Sequence, residues 1–112
     1  MSFLAWVKSC LSNRGKVLAL YRSGMAKATK RDYQGAIADY STAIEDPRIP
    51  SDVKGMAVYN RALAYSAIRE DAKAAEDLAA LLELPGLPEN IRTAAQQRRE
   101  RIRRRNEDAE DS

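Results

Sequence analysis

The chain has 112 residues, 45% apolar and 31% charged, which is enough for one small domain with a thin core and an ordinary soluble balance. It holds no histidine and a single cysteine, Cys10, which excludes Ser-His-Asp and Cys-His catalysis, the usual zinc sets and any internal disulfide. The net charge of +3 is laid down in blocks: seven bases and no acid in 1–31, eleven acids against five bases in 32–90, seven bases against one acid in 91–105, and four acids in 106–112. Such blocks point to charge pairing within or between chains, or to an acidic partner.

In chain order, the opening MSFLAWVKSCL is apolar but is broken by Lys8. It lacks a basic leading stretch and a small-residue cleavage site, so neither a secretory leader nor a membrane span is expected, and the chain is read as cytoplasmic. Residues 1–13 are expected to form a separate short helix, over 2–12, that caps the helices after it. The alternative is a helix lying on a membrane surface with Trp6 at the interface. Cys10 is expected to be a small buried apolar residue, since nothing near it would lower its pKa.

Helical spacing then predicts helices over 14–30 and 33–46. In the second, Tyr33, Ala36, Ile37, Tyr40, Ala43 and Ile44 recur at three- and four-residue steps on one face. Asp32 is a candidate N-cap, and Pro47 stops the helix. Helices over 52–68 and 71–84 come next, with Ser51 as the expected N-cap of the first and Pro85 ending the second. After Pro88 a basic helix is expected over 90–106, within a capping segment 89–106, with Ile91, Ala94, Ala95 and Ile102 as its sparse apolar side. Residues 107–112 read as an acidic tail. No segment alternates with the strand period, so the fold class is all-α.

The chain also matches itself. With residues 55–92 laid under 17–54, Gly24 meets Ala62, Ala36 meets Ala74, Asp39 meets Asp77, Tyr40 meets Leu78 and Ile44 meets Leu82. The connectors agree as well: Pro47 meets Pro85, Pro50 meets Pro88 and Val53 meets Ile91. A fixed 38-residue period with small residues at matching places marks a stacked repeat, here 14–50 and 51–88.

Over about 17–88 these residues resemble the tetratricopeptide repeat (TPR) family. Its pattern asks for a small residue, an aromatic, Ala, an aromatic or Leu, Ala and Pro. Ala62, Tyr65, Ala74, Leu78 and Pro85 fill those places in the second copy, with Leu81 for the last Ala. Gly24, Tyr33, Ala36, Tyr40, Ala43 and Pro47 fill them in the first. The chain departs from the pattern in four extra connector residues per unit. It departs again at Lys27 and Asp71, where aromatics belong, and at Ser23 and Arg61, where Leu is common. These departures are expected to thin the core. The resemblance implies an α-solenoid of two TPR-like helix hairpins with terminal capping helices, and self-association could replace part of the capping.

It also implies a protein-interaction module that holds a peptide segment in a concave groove. By that mapping Leu18, Tyr21, Arg22, Met25 and Thr29 line the groove from the first repeat. Met56, Tyr59, Asn60, Leu63 and Ser66 line it from the second, and Gln97, Arg98 and Arg101 from the last helix. Tyr and Met would give contact area and Arg would select acidic partners. The alternative is a groove filled by residues 2–12. Some TPR proteins clamp a carboxylate with five polar groups. Asn60 and Arg98 match two of those places, whereas Tyr21, Met25 and Ala94 miss three.

The alternative function is a nucleic-acid-associated protein using the run RRERIRRR, 98–105. No aromatic interleaves that run, and the acids beside it compete for its arginines, so a solvated or internally paired helix is the plainer reading. Acid pairs such as Glu45–Asp46, Glu70–Asp71 and Glu76–Asp77 make no convergent pair for acid–base work. No enzyme, cofactor or metal site is expected.

Overall fold

The computed structural model describes the backbone of residues 3–111 and, within it, the side chains of Leu4 and of 14–110. The described residues form five helices: α1 Phe3–Thr29, α2 Tyr33–Glu45, α3 Ser51–Ala67, α4 Asp71–Leu82 and α5 Glu89–Asp111. None of them is long and apolar enough to cross a membrane. α2 packs on both α1 and α3, α4 on both α3 and α5, and α1 also touches α3. The result is an elongated body of 65 × 30 × 19 Å.

Two helix pairs, α1–α2 and α3–α4, are closed by turns of the same construction. Arg31 and Arg69 both stand in the left-handed region, at φ 66° and 65°. The next amide reaches back five residues in each case, Asp32 to the Lys27 carbonyl at 2.8 Å and Glu70 to the Tyr65 carbonyl at 2.9 Å. This is a Schellman ending, which satisfies the last carbonyls of the first helix. Asp32 and Glu70 then start the second helix, receiving the amides of Ala36 and Ala74 at 3.0 Å on their carbonyls. Asp32 also caps with its side chain, accepting from the Gly35 amide at 3.0 Å as expected. Glu70 makes no side-chain cap bond.

Three boundaries differ in kind from the sequence reading, and the other helix ends agree with it within two residues. The expected short helix over 2–12 is not separate, because residues 3–13 run on into α1 as one 27-residue helix. Asn13 and Gly15 are poor helix formers, but without a proline nothing forces a break. Ser51 is not the N-cap of α3. Pro50 holds that place in an extended conformation, and its carbonyl takes the Lys54 amide at 2.9 Å. The acidic tail is helical to Asp111, because α5 carries its charges at helical spacing. Arg103 bonds to Glu100 and to Glu107, three and four residues away.

Much of the core lies in two clusters. One joins Val58, Ala62, Leu78 and Leu81 of α3 and α4 to Ala95 and Ile102 of α5, with Ile91 packed against it. The other joins Val17, Ala43 and Val53 of three different helices, with Ile49 of the α2–α3 connector against it. Packing between helices is adjusted by size. A Cβ placed on Gly24 would sit 2.5 Å from the Tyr40 ring, so only glycine fits there. The positions 38 residues on are Ala62 and Leu78, 1% exposed each, where a larger residue on α3 faces a smaller one on α4.

Candidate functional site: a cleft across α1, α3 and α5

The four departures from the family pattern all turn out to be polar partners. Ser23 donates its hydroxyl to Asp39 at 2.6 Å, and Lys27 pairs with the same carboxylate at 2.9 Å. Burial alone would push the Asp39 carboxyl up, but these two donors outweigh it and hold the pKa below the usual value. Arg61 makes a two-pronged pair with Asp77, at 2.8 and 2.7 Å, and donates to the Ser41 hydroxyl at 3.1 Å. Its guanidinium lies 5.8 Å from the Tyr65 ring centroid, and the Lys73 ammonium lies 5.7 Å from it. Asp77 therefore holds the Arg61 pKa above its ordinary value despite burial. Asp71 pairs with Arg105, which ties the start of α4 to α5. These polar side chains anchor the helices, where the sequence reading expected only a thinner core.

Above this frame opens a cleft of about 530 Å³. Ala28 of α1, Asn60, Leu63, Ser66 and Ala67 of α3, and Arg98 and Arg105 of α5 contribute to its lining. Ala64 of α3, Tyr33, Tyr40 and the turn residue Arg69 complete it. Asn60 donates to the Tyr21 hydroxyl at 2.9 Å, which fixes the amide at the cleft wall. Burial raises the Tyr21 pKa against the lowering effect of that bond. The Tyr21 and Tyr40 rings lie 6.1 Å apart and tilted by 45°, and burial pushes the Tyr40 hydroxyl up to about 12.

Among the residues that the sequence placed in the groove, Asn60, Leu63, Ser66 and Arg98 line this cleft, and Tyr21 reaches it through Asn60. Leu18 packs instead on the Val17 cluster, and Tyr59 on the Val58 cluster. Met25 is 39% exposed, and Arg22 and Thr29 are exposed, all outside the lining. Met56 lines a separate cavity at the other end of α3. Gln97 and Arg101 sit on a different surface of α5. The sequence mapping missed Ala28, Ala64, Ala67 and Arg105 on helices that it counted, and it missed Tyr33, Tyr40 and Arg69 because it took no residue from the second helix of a pair or from a turn. Placement of the Trp6 and Cys10 side chains lies outside the described residues, as does a groove filled by residues 2–12, of whose side chains Leu4 alone is described.

Arg103 and Arg104 pair with Glu100, and Arg105 with Asp71, whereas no ion pair is found among the described residues for Arg69 or Arg98. The cleft thus presents cations over a tyrosine and alanine floor. No group of three acidic or cysteine side chains among the described residues could hold a metal ion. No family model, curated protein or solved structure matches the chain.

Proposed function

We propose that the chain is a TPR-like α-solenoid of two helix hairpins, with α5 as its terminal cap, and that it works as a protein-interaction module rather than an enzyme. The cleft across α1, α3 and α5 receives a short peptide segment bearing acidic groups. The observation that carries this reading is the convergence of Asn60, Leu63 and Ser66 with Arg69 and Arg98 on one open face. The 38-residue correspondence of the turns supports the repeat reading. A single cysteine suits a reducing compartment, and cytoplasmic placement is part of the proposal.

Capture of partners on the immobilised chain, with and without nuclease, tests the reading. The captured segment is then titrated against variants. Leu63→Arg should abolish binding. Arg98→Ala should weaken it by about 1–2 kcal/mol, with a loss that shrinks as salt rises. A partner released by nuclease, with a steep salt slope, would favour the alternative of nucleic acid held on α5.

A further inference from the structure

We propose that the groove between α4 and α5 receives the outer face of α4 from a second copy of the chain, so that two chains pair about a two-fold axis. The groove holds about 570 Å³ and is lined by Ala75 of α4 and by Gln96, Arg99, Glu100, Arg103 and Asn106 of α5. It shares no residue with the cleft, so this proposal and the functional reading fail separately.

The 38-residue period tells what such a groove holds. Counting forward by that step, Ser23 of α1 becomes Arg61 of α3 and then Arg99 of α5, and Gly24 becomes Ala62 and then Glu100. On α1, Ser23 grips α2 through Asp39, and Gly24 takes the Tyr40 ring. On α3, Arg61 grips α4 through Asp77, and Ala62 packs in one cluster with Leu78. The lining of the groove on α5 thus stands where α1 and α3 each hold a helix by one aspartate. Here the cation has nothing to grip: no ion pair is found among the described residues for Arg99, while Arg103 pairs with Glu100 and Glu107 of its own helix.

Charge and size name the occupant. Glu100 stands where a small residue received Tyr40 or Leu78, so the groove rejects a bulky apolar side chain and suits small and acidic ones. The chain carries such a face itself. Ala72, Glu76, Ala79 and Glu83 recur at four- and three-residue steps along α4, beside Ala75 of the groove, and both glutamates are exposed. The alanines let a second helix approach closely, and Glu76 faces Arg99 of the second copy as Asp77 faces Arg61 within the chain. Because α4 and α5 flank one groove, a single two-fold axis lays each α4 into the other chain's groove and makes the Glu76–Arg99 contact twice.

Sedimentation equilibrium of the full chain reads the pairing. The expected result is a monomer–dimer equilibrium that weakens at least tenfold as salt rises from about 0.05 to 0.5 M, because its contacts are exposed charges. Glu76→Lys and Arg99→Glu should each leave a monomer with an unchanged helical circular-dichroism signal, since both side chains are exposed. An equimolar mixture of the two variants should dimerise again. In that mixture Lys at 76 meets Glu at 99, and the unaltered Glu76 meets the unaltered Arg99. An unaltered chain that stays monomeric, a dimer that survives either reversal, open-ended assembly, or a mixture that remains monomeric would overturn the proposal.

Discussion

The two helix pairs share the construction of their turns and differ in what fills them. Their turns coincide residue for residue, through Arg31 and Arg69 and the amides that reach back to Lys27 and Tyr65. Their interiors do not coincide. Gly24 and Tyr40 in one are Ala62 and Leu78 in the other, a more exposed Lys27–Asp39 pair is matched by a more enclosed Arg61–Asp77 pair, and Val17 is matched by Gly55. The lesson is that a helix hairpin fixes turn geometry and total volume, while the division of that volume between facing residues is free, provided that each polar group keeps a partner.

The largest test of this contrast lies outside both hairpins. The second hairpin leans on Ala95 and Ile102 of α5. Truncation after Asn90 should therefore cost on the order of 4 kcal/mol, since it bares Leu78 and Leu81. Hydrogen exchange should rise in α4 before α2. Equal melting temperatures for the truncated and full chains would mean that α5 is not a cap.

Next come the two paired aspartates, Asp77 buried and Asp39 half-buried. The side chains of Arg61 and Asp77 are 20% and 10% exposed, against 41% and 15% for Lys27 and Asp39. Asp77→Ala should cost about 3 kcal/mol by stranding the guanidinium. Asp39→Ala should cost about 1–2 kcal/mol, because its lysine can turn to solvent. Urea midpoints compare the two directly, and the reverse order would contradict the contrast.

The glycines should respond with opposite signs. Gly24→Ala should destabilise by about 1–3 kcal/mol through overpacking on Tyr40, and Tyr40→Leu in the same chain should recover part of the loss, as Ala62 and Leu78 suggest. Gly55→Ala should stabilise by about 0.5–1 kcal/mol.

The smallest effects are in pH. The Tyr40 hydroxyl rises from 10.0 to about 12 in the fold. The neutral form is thus favoured, and its stabilisation is fully present below pH 10 and is lost as pH climbs toward 12. Leu78 has no such group, so alkaline loosening attributable to this position should appear in the first hairpin and vanish in Tyr40→Phe. Asp39 has the opposite sign: its pKa lies below 3.8, so its contribution is present above that value and is lost as pH falls through the folded pKa.

Much of this was legible in the sequence, for identifiable reasons. The helices of 33–84 announced themselves through periodicity and prolines, and Asp32 through its capping chemistry. The continuity of α1 was hidden because Asn13 and Gly15 look like punctuation, whereas each costs only about 1 kcal/mol in a helix. The helical end of α5 was hidden because its composition changes while its charge spacing does not. The Arg61–Asp77 pair was within reach, since the two aspartates match across the period and the residues facing them depart from the family pattern. The cleft was half legible: Asn60, Leu63, Ser66 and Arg98 come from one helix per unit, but Tyr33 and Arg69 enter from the start of α2 and from a turn whose shape residue types did not reveal.

The most direct test of the central reading is an amide and methyl shift map of the full chain with the captured segment bound. The account predicts that the largest changes fall on Ala28, Asn60, Leu63, Ser66 and Arg98. Changes centred on Arg99, Arg101 and Arg104, with the cleft residues unmoved, would contradict it.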